Sequence, residues 1–241
     1  MKVSFIIPTF NETKGIRATL EQFSALRRLE HEVIVSDNGS TDDTIVLARQ
    51  TGAIVVVRPS DTKTTIGECR NRGAQAASGE LLWFIDADVR IVDIEACVGE
   101  VADYFAQHTA VVAATQRITI YPEERKWIDS VVYTFFNASV YLQNRLFKTG
   151  ASPGDCMMIR RRDFERCHGF RPELPTAEDF ELYSRLAKVG EIAYFWHRKI
   201  AMSPRRIRRD GWPKVLWLWY RNWWNQVVRG KLSQADWEAR R

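Results

Sequence analysis

The chain has 241 residues, of which 45% are hydrophobic, 27% charged and 12% aromatic, a globular composition that excludes disordered, collagen-like and disulfide-scaffold classes. Four scattered cysteines (Cys69, Cys97, Cys156, Cys167) without a C-x-x-C pair argue against structural zinc and for a reducing compartment. There is no apolar window of about 18 residues to span a membrane, Pro8 ends the first apolar run too early for a secretory signal, and the net charge of +5 divides into +9 from Trp196 onward and −4 before it.

In chain order, residues 3–7 (VSFII) predict a strand, and residues 13–28 a helix with Ile16, Leu20 and Phe23 at helical spacing. A strand at 32–35, a helix from about Thr41, a strand at 53–57, a helix at 66–77 and a strand at 81–85 follow. The strand runs are almost wholly apolar rather than alternating, as strands covered on both faces require. Repeated strand–helix units within some 90 residues predict a parallel sheet with right-handed crossovers.

Ligands of such sheets sit beyond the carboxyl ends of the strands. The residues delivered there are Pro8-Thr9-Phe10-Asn11-Glu12, the Asp37 turn, Arg58-Pro59 and Asp86-Ala87-Asp88. Dinucleotide and P-loop glycine motifs are absent from the sequence. Asp86 and Asp88 suit a hard divalent cation, which takes oxygen ligands and shares them with phosphate; the same acids also suit a capping turn. Asp37 can accept from a ligand N–H or close an Asx-turn. Glu178-Asp179 opens a predicted helix, where acids either answer the helix dipole or supply a general base.

Four strings, VSFIIPTFNE (3–12), EVIVSDNGSTDDT (32–44), ECRNRGAQAASGELLWFIDADV (68–89) and AEDFELYSRLAKVG (177–190), together resemble glycosyltransferase family 2. The resemblance implies an α/β GT-A fold, with a Rossmann-like, mostly parallel central sheet and helices on both faces. It implies one domain over 1–241: a nucleotide-sugar half (1–110), an acceptor half (111–200) and a basic, tryptophan-rich tail (201–241). The implied activity is inverting transfer of a sugar from a nucleoside-diphosphate sugar, UDP- before GDP-, with Mn²⁺ or Mg²⁺ as cofactor and an acceptor hydroxyl of unknown identity. By the same resemblance Pro8, Thr9, Asn11 and Glu12 hold the nucleoside and Asp37 meets the base. Arg70 lies near the base or the diphosphate, and Ala87 sits in the donor-binding turn. Asp86 contacts ribose or metal-bound water, Asp88 binds the metal, Asp179 is the base and Glu178 supports it. One departure is Asn38, where a second Asp is commoner.

In the second half, residues 111–120 predict a strand, 123–147 a long aromatic helix, and 154–159 a loop entering a strand beneath the acceptor site. Phe164, Cys167 and Phe170 read as packing and Cys156 as a small buried filler. His197 is either a third metal ligand or a hydrogen-bonded structural histidine. Six of the nine tryptophans fall between Trp212 and Trp237. On a helical wheel Leu216, Trp219, Tyr220, Trp223 and Val227 oppose Lys214, Arg221, Asn225 and Arg229. That apolar face either packs on the domain or a second subunit, giving a homodimer, or lies on an anionic bilayer through residues 211–229. The expected location is the cytoplasm, at the inner membrane face if lipid is bound. Two rivals are a sugar nucleotidyltransferase, whose glycine-rich first loop is missing, and a non-catalytic binder of nucleic acid or anionic lipid. The acids at the strand ends speak against nucleic acid as a partner.

Overall fold

The computed structural model describes residues 1–59 and 64–224. Its centre is an eight-stranded sheet in the order β3-β2-β1-β4-β7-β6-β8-β5. The strands are β1 (Val3–Thr9), β2 (His31–Asp37), β3 (Ile54–Val57), β4 (Leu81–Ile85), β5 (Val89–Ile91), β6 (Val111–Ile120), β7 (Cys156–Arg160) and β8 (Glu191–Met202). Strands β1 to β4 are mutually parallel. β7 runs antiparallel to both β4 and β6, β8 is parallel to β6, and β5 returns antiparallel along β8. The predicted parallel block is therefore present, extended by a mixed half.

β1 and β4 are buried throughout because both faces are covered. Phe5 and Trp83 point to one side, where helices α1 (Ile16–Glu21) and α4 (Ile94–Gln107) enclose a core. Ile6 and Phe84 point to the other, into a core completed by Phe164, Cys167 and Phe170. Helix α3 (Ile66–Ala76) starts where the Thr65 hydroxyl accepts the Glu68 N–H at 3.2 Å, a helix cap. It lies so close to β1 that a Cβ on Gly73 would stand 2.5 Å from Ile6 Cγ2.

The helix expected over 13–28 is α1 followed by a 3₁₀ turn (Gln22–Ala25). The helix expected from Thr41 begins at α2 (Thr44–Gln50), because Asp42 accepts from Thr44 and Thr13 and holds residues 40–43 as a loop. The long aromatic helix is α5 (Trp127–Leu142), ending in a π turn (Gln143–Phe147). Asn137 of α5 hydrogen-bonds both the N–H and the C=O of Ile118, beyond the last β7 partner of β6. Short α6 (Arg161–Arg166), α7 (Glu178–Leu186), α8 (Arg205–Asp210) and α9 (Trp212–Trp223) complete the described chain.

Candidate functional site

The crevice lies where the strand order reverses, between β1 and β4, the usual ligand position of open α/β sheets. Pairing of β1 with β4 ends at Ile6–Phe84. The Thr9 carbonyl accepts from Asn38 N–H toward β2, so the nitrogen of Pro8 faces the opened β4 side, where no ladder donor is needed. Thr9 Oγ1 donates to Asp37 at 2.8 Å. Asp37 also accepts from Gly39 N–H, Ser40 N–H and Ser40 Oγ–H at 2.6–2.9 Å. A carboxylate has about four acceptor positions, and all are used by the chain itself. Asp37 is fully buried, and these bonds close an Asx-turn. Asn38 is tied to Thr64 through both side-chain ends.

Asn11 holds the opposite lip. Its backbone is left-handed (φ 56°), its N–H donates to Ser40 Oγ and its Oδ1 accepts from Thr41 N–H. Glu12 N–H donates to Thr44 Oγ1, while the Glu12 carboxylate meets Arg205 at 3.0–3.2 Å. These residues clamp the loop after β2 against the loop after β1.

Asp86, Ala87 and Asp88 form the turn after β4. The Ala87 carbonyl accepts from Thr19 Oγ1 at 2.5 Å and its side chain is buried, so Ala87 fixes the turn through its backbone. The Asp88 carbonyl accepts from Tyr121 Oη and Ser203 N–H, which leaves its carboxylate facing Arg205 at 2.8 Å. Asp86 is paired at 2.9 Å with Arg70. Arg70 is buried, and it also donates to Glu178 at 2.6 Å and to the Gly154 carbonyl. These bonds tie the Asp86 turn to the start of α7.

α7 begins after Ala177, whose left-handed backbone (φ 59°) costs roughly 1 kcal/mol for a residue with a Cβ. That turn aims Glu178 at Arg70 and Asp179 at Gly154, where a Cβ would stand 2.6 Å from Asp179 Oδ2. Burial, then Glu178, pushes the Asp179 carboxyl up to about 7 against the pull of Arg70. Burial also raises Glu178 despite Arg70, and raises Asp88 despite Arg205.

Sequence reasoning missed Asp155. Antiparallel pairing of β7 on β4 sets Cys156 opposite Ile85 and brings the Asp155 carbonyl to Asp86 N–H. Burial and then Asp86, Asp88 and Asp179 hold the Asp155 carboxyl well above the usual range. An acid between a glycine and an apolar run carries no local mark of this pairing. Asp129 was missed as well, and Arg205 was legible only as one of the basic residues of the tail. Buried Asp129 accepts from Lys126 N–H, Arg208 and Trp212 Nε1, anchoring α8 and α9 on α5 and so placing Arg205 at the acids.

Six carboxyl groups (Glu12, Asp86, Asp88, Asp155, Glu178, Asp179) thus meet three guanidinium groups (Arg70, Arg205, Arg206). This surplus of hard oxygen donors fits a divalent cation. Among the described residues there is no ready-made group of three or more His, Cys, Asp or Glu ligands, and one or two carboxylates plus substrate phosphate is the usual way Mg²⁺ is held. His197 lies elsewhere, with Nε2 2.6 Å from Glu100 of α4, and β5 pairs with β8 only from Ile200 onward. The run of arginines in α8 is turned toward acids as well: Arg205 to Glu12 and Asp88, Arg208 to Asp129, Arg209 to Asp210.

The sequence profile described as "Glycosyl transferase family 2" matches residues 4–167. The chain belongs to glycosyl transferase family 2. Within it, the chain is 37% identical over 93 residues to glucosyl-3-phosphoglycerate synthase of Mycobacterium tuberculosis strain H37Rv, covering 36% of this chain and 29% of that protein. It is 34% identical over 91 residues to glycosyltransferase AglE of Haloferax volcanii, covering 36% and 30%. These alignments span about a third of each relative. Among solved structures, mannosyltransferase PcManGT of Pyrobaculum calidifontis, in complex with GDP-Man and Mn²⁺, superposes with a TM-score of 0.68 at 20% identity over 96% of this chain and 65% of that one. TarS of S. aureus, in complex with UDP-GlcNAc, gives 0.64 at 22% identity over 81% and 56%. The shared architecture is the GT-A fold.

Proposed function

We propose that this family 2 chain transfers a sugar, with inversion, from a nucleoside-diphosphate sugar to an acceptor hydroxyl. The observation that carries the reading is the pairing of two acid groups across one crevice: Asp86 and Asp88 at the β4 turn, and Asp179 beside Gly154, joined by Arg70. The carboxyl ends of β1 and β2 supply the nucleoside pocket. Thr9, Asn11 and Asp37 shape its loop through the bonds described above, and Pro8 opens its floor.

Inversion needs the acceptor hydroxyl to attack opposite the departing diphosphate and to lose its proton as it does so. Asp179 is the residue for that proton: its carboxyl is poised near neutrality, where a base is most effective. Glu178, bonded to Arg70, keeps Asp179 in place. Asp88, with Asp86, would hold Mn²⁺ or Mg²⁺, which when bound would offset the charge gathering on the leaving diphosphate. Arg205 and Arg206 add fixed positive charge on the same side. Asp155 lies on the same side, its carboxyl pushed up by burial and by Asp86, Asp88 and Asp179.

The M. tuberculosis synthase has been solved with Mn²⁺, UDP-Glc and phosphoglyceric acid, and PcManGT with GDP-Man and Mn²⁺. These favour a UDP- or GDP-sugar and a divalent ion here. The test is a thermal-shift screen of UDP, GDP, CDP and dTDP with and without Mn²⁺, followed by donor turnover with the stabilising nucleotide. Metal-dependent stabilisation by one base, with turnover abolished in Asp179→Asn but nucleotide binding kept, supports the reading; stabilisation by none overturns it.

A further inference from the structure

The helical wheel of the tail places Leu216, Trp219 and Tyr220 on one face, but the fold separates them. Trp212, Val215 and Trp219 pack inward, Trp219 on Phe136 at 4.7 Å between ring centroids. Leu216, Trp217, Tyr220 and Trp224 stay exposed; Trp223 has no described side chain, and Asn225, Val227 and Arg229 lie outside the described residues.

That exposed edge adjoins a second one on α5. Trp127, Val131, Phe135, Leu142 and Leu146 recur at helical spacing along α5 and its π turn, with Trp127 at 76%, Phe135 at 73%, Leu146 at 66% and Phe147 at 68% exposure. Phe135 and Leu216 line one shallow groove between the two helices, so the two stripes form one apolar, aromatic surface. Surfaces of this kind on monomers mark an interaction site.

Charge selects the partner. Exposed Arg125 and Lys126 stand at one end of α5, Arg145 and Lys148 at the other, and Lys214 on α9. From residue 125 to 148 and from 211 to 224 the sole acid is Asp129, which is buried against Arg208; exposed Glu123 and Glu124 precede Arg125, and Lys214 is paired with Asp210 at 3.4 Å, so the unopposed positive charge sits at the Arg145–Lys148 end. A two-fold pairing of this face with itself would bring the same basic frame against its copy, since a symmetric dimer uses one patch twice. An anionic lipid surface meets both the frame and the aromatic centre.

We propose that the α5–α9 face docks laterally on an anionic bilayer surface, with Trp127, Phe135, Leu146 and Trp217 entering the interface and the Arg145–Lys148 end at the headgroups. Among the described residues no helix is long and apolar enough to cross a membrane, and the contact is peripheral. The tail suspected from sequence is one edge of this surface; α5 is its centre.

The experiment is flotation of the full chain with phosphatidylcholine vesicles and with vesicles that also contain phosphatidylglycerol. Binding to the anionic vesicles at low salt is expected, falling roughly thirtyfold for each of the charge reversals Arg145→Glu and Lys148→Glu and more than tenfold for Phe135→Ser with Trp217→Ser, the far-ultraviolet spectrum and melting temperature remaining unchanged. Three results overturn the proposal: no flotation with either vesicle, binding indifferent to lipid charge and to the reversals, or a dimer by light scattering that Phe135→Ser converts to a monomer.

Discussion

The Arg205 guanidinium bridges Asp88 and Glu12, at 2.8 Å from one carboxylate and 3.0 Å from the other. It comes from α8, more than a hundred residues along the chain from either acid, and is held there because Arg208 and Trp212 are anchored on Asp129. The arrangement gives the acid cluster a resident counter-charge. Arg205→Gln removes it, and because Arg205 is half exposed the cost to the free protein is modest, about 1 kcal/mol. Stabilisation by Mn²⁺ should rise in the same variant, because a cation then meets less competition. Melting curves with and without Mn²⁺ measure both effects.

Arg70 has the opposite setting, buried between Asp86 and Glu178 with its Nε lacking any partner. Removing one member of a buried charge group leaves the others unpaired. Arg70→Met is expected to destabilise the fold by about 3–5 kcal/mol, far beyond Arg205→Gln, in urea unfolding at neutral pH. A loss below about 1 kcal/mol would show that Arg70 is not the tie between the two acid groups.

Asp179 links stability to pH. Its carboxyl is raised to about 7 in the fold but titrates near 4 when unfolded. Between those values the folded chain binds a proton that the unfolded chain has released, so this group's contribution to stability is present below about pH 4 and is lost as pH rises toward 7. Asp179→Asn, which never ionises, should gain on the order of 4 kcal/mol over wild type at pH 8 and nothing at pH 4. Turnover runs the other way: kcat/KM of the wild type climbs as Asp179 ionises near pH 7. Equal stability differences at both pH values would contradict the assignment.

Gly154 has a left-handed backbone (φ 76°), and a Cβ there collides with the Asp179 carboxylate. Gly154→Ala is expected to displace Asp179, the proposed base, and lower kcat on the order of a hundredfold while leaving the affinity for nucleotide within a few-fold. A rise in KM for the donor at unchanged kcat would place the disturbance in the nucleoside pocket instead.

How much of this was legible in the sequence depends on where each residue's partner sits. β4 and β6 have the bounds that their apolar runs predict, and the parallel block follows from strand–helix repetition that is visible locally. Asp86, Asp88, Glu178 and Asp179 were visible as acids at predicted strand or helix ends. Asp155, Asp129 and Arg205 acquire their roles only through contacts made across about 70 residues or more of chain, and nothing adjacent to them signals it. Arg70 was visible as a cation near the site, but its burial between two acids was not. Asp37 illustrates the converse: the same carboxylate reads as an Asx-turn or a ligand contact, and the four donors that close its turn become visible only in the fold.

The central claim is that the Asp88 carboxylate helps to hold a divalent cation together with a nucleoside diphosphate. Electron paramagnetic resonance of Mn²⁺ titrated with the wild-type chain and with Asp88→Ala, each in the presence of UDP or GDP, tests it directly. The account predicts nucleotide-dependent loss of the free Mn²⁺ signal with the wild type and little or none with Asp88→Ala, both proteins being folded. Equal Mn²⁺ uptake by the two, or nucleotide binding that ignores both Mn²⁺ and Asp88, would contradict it.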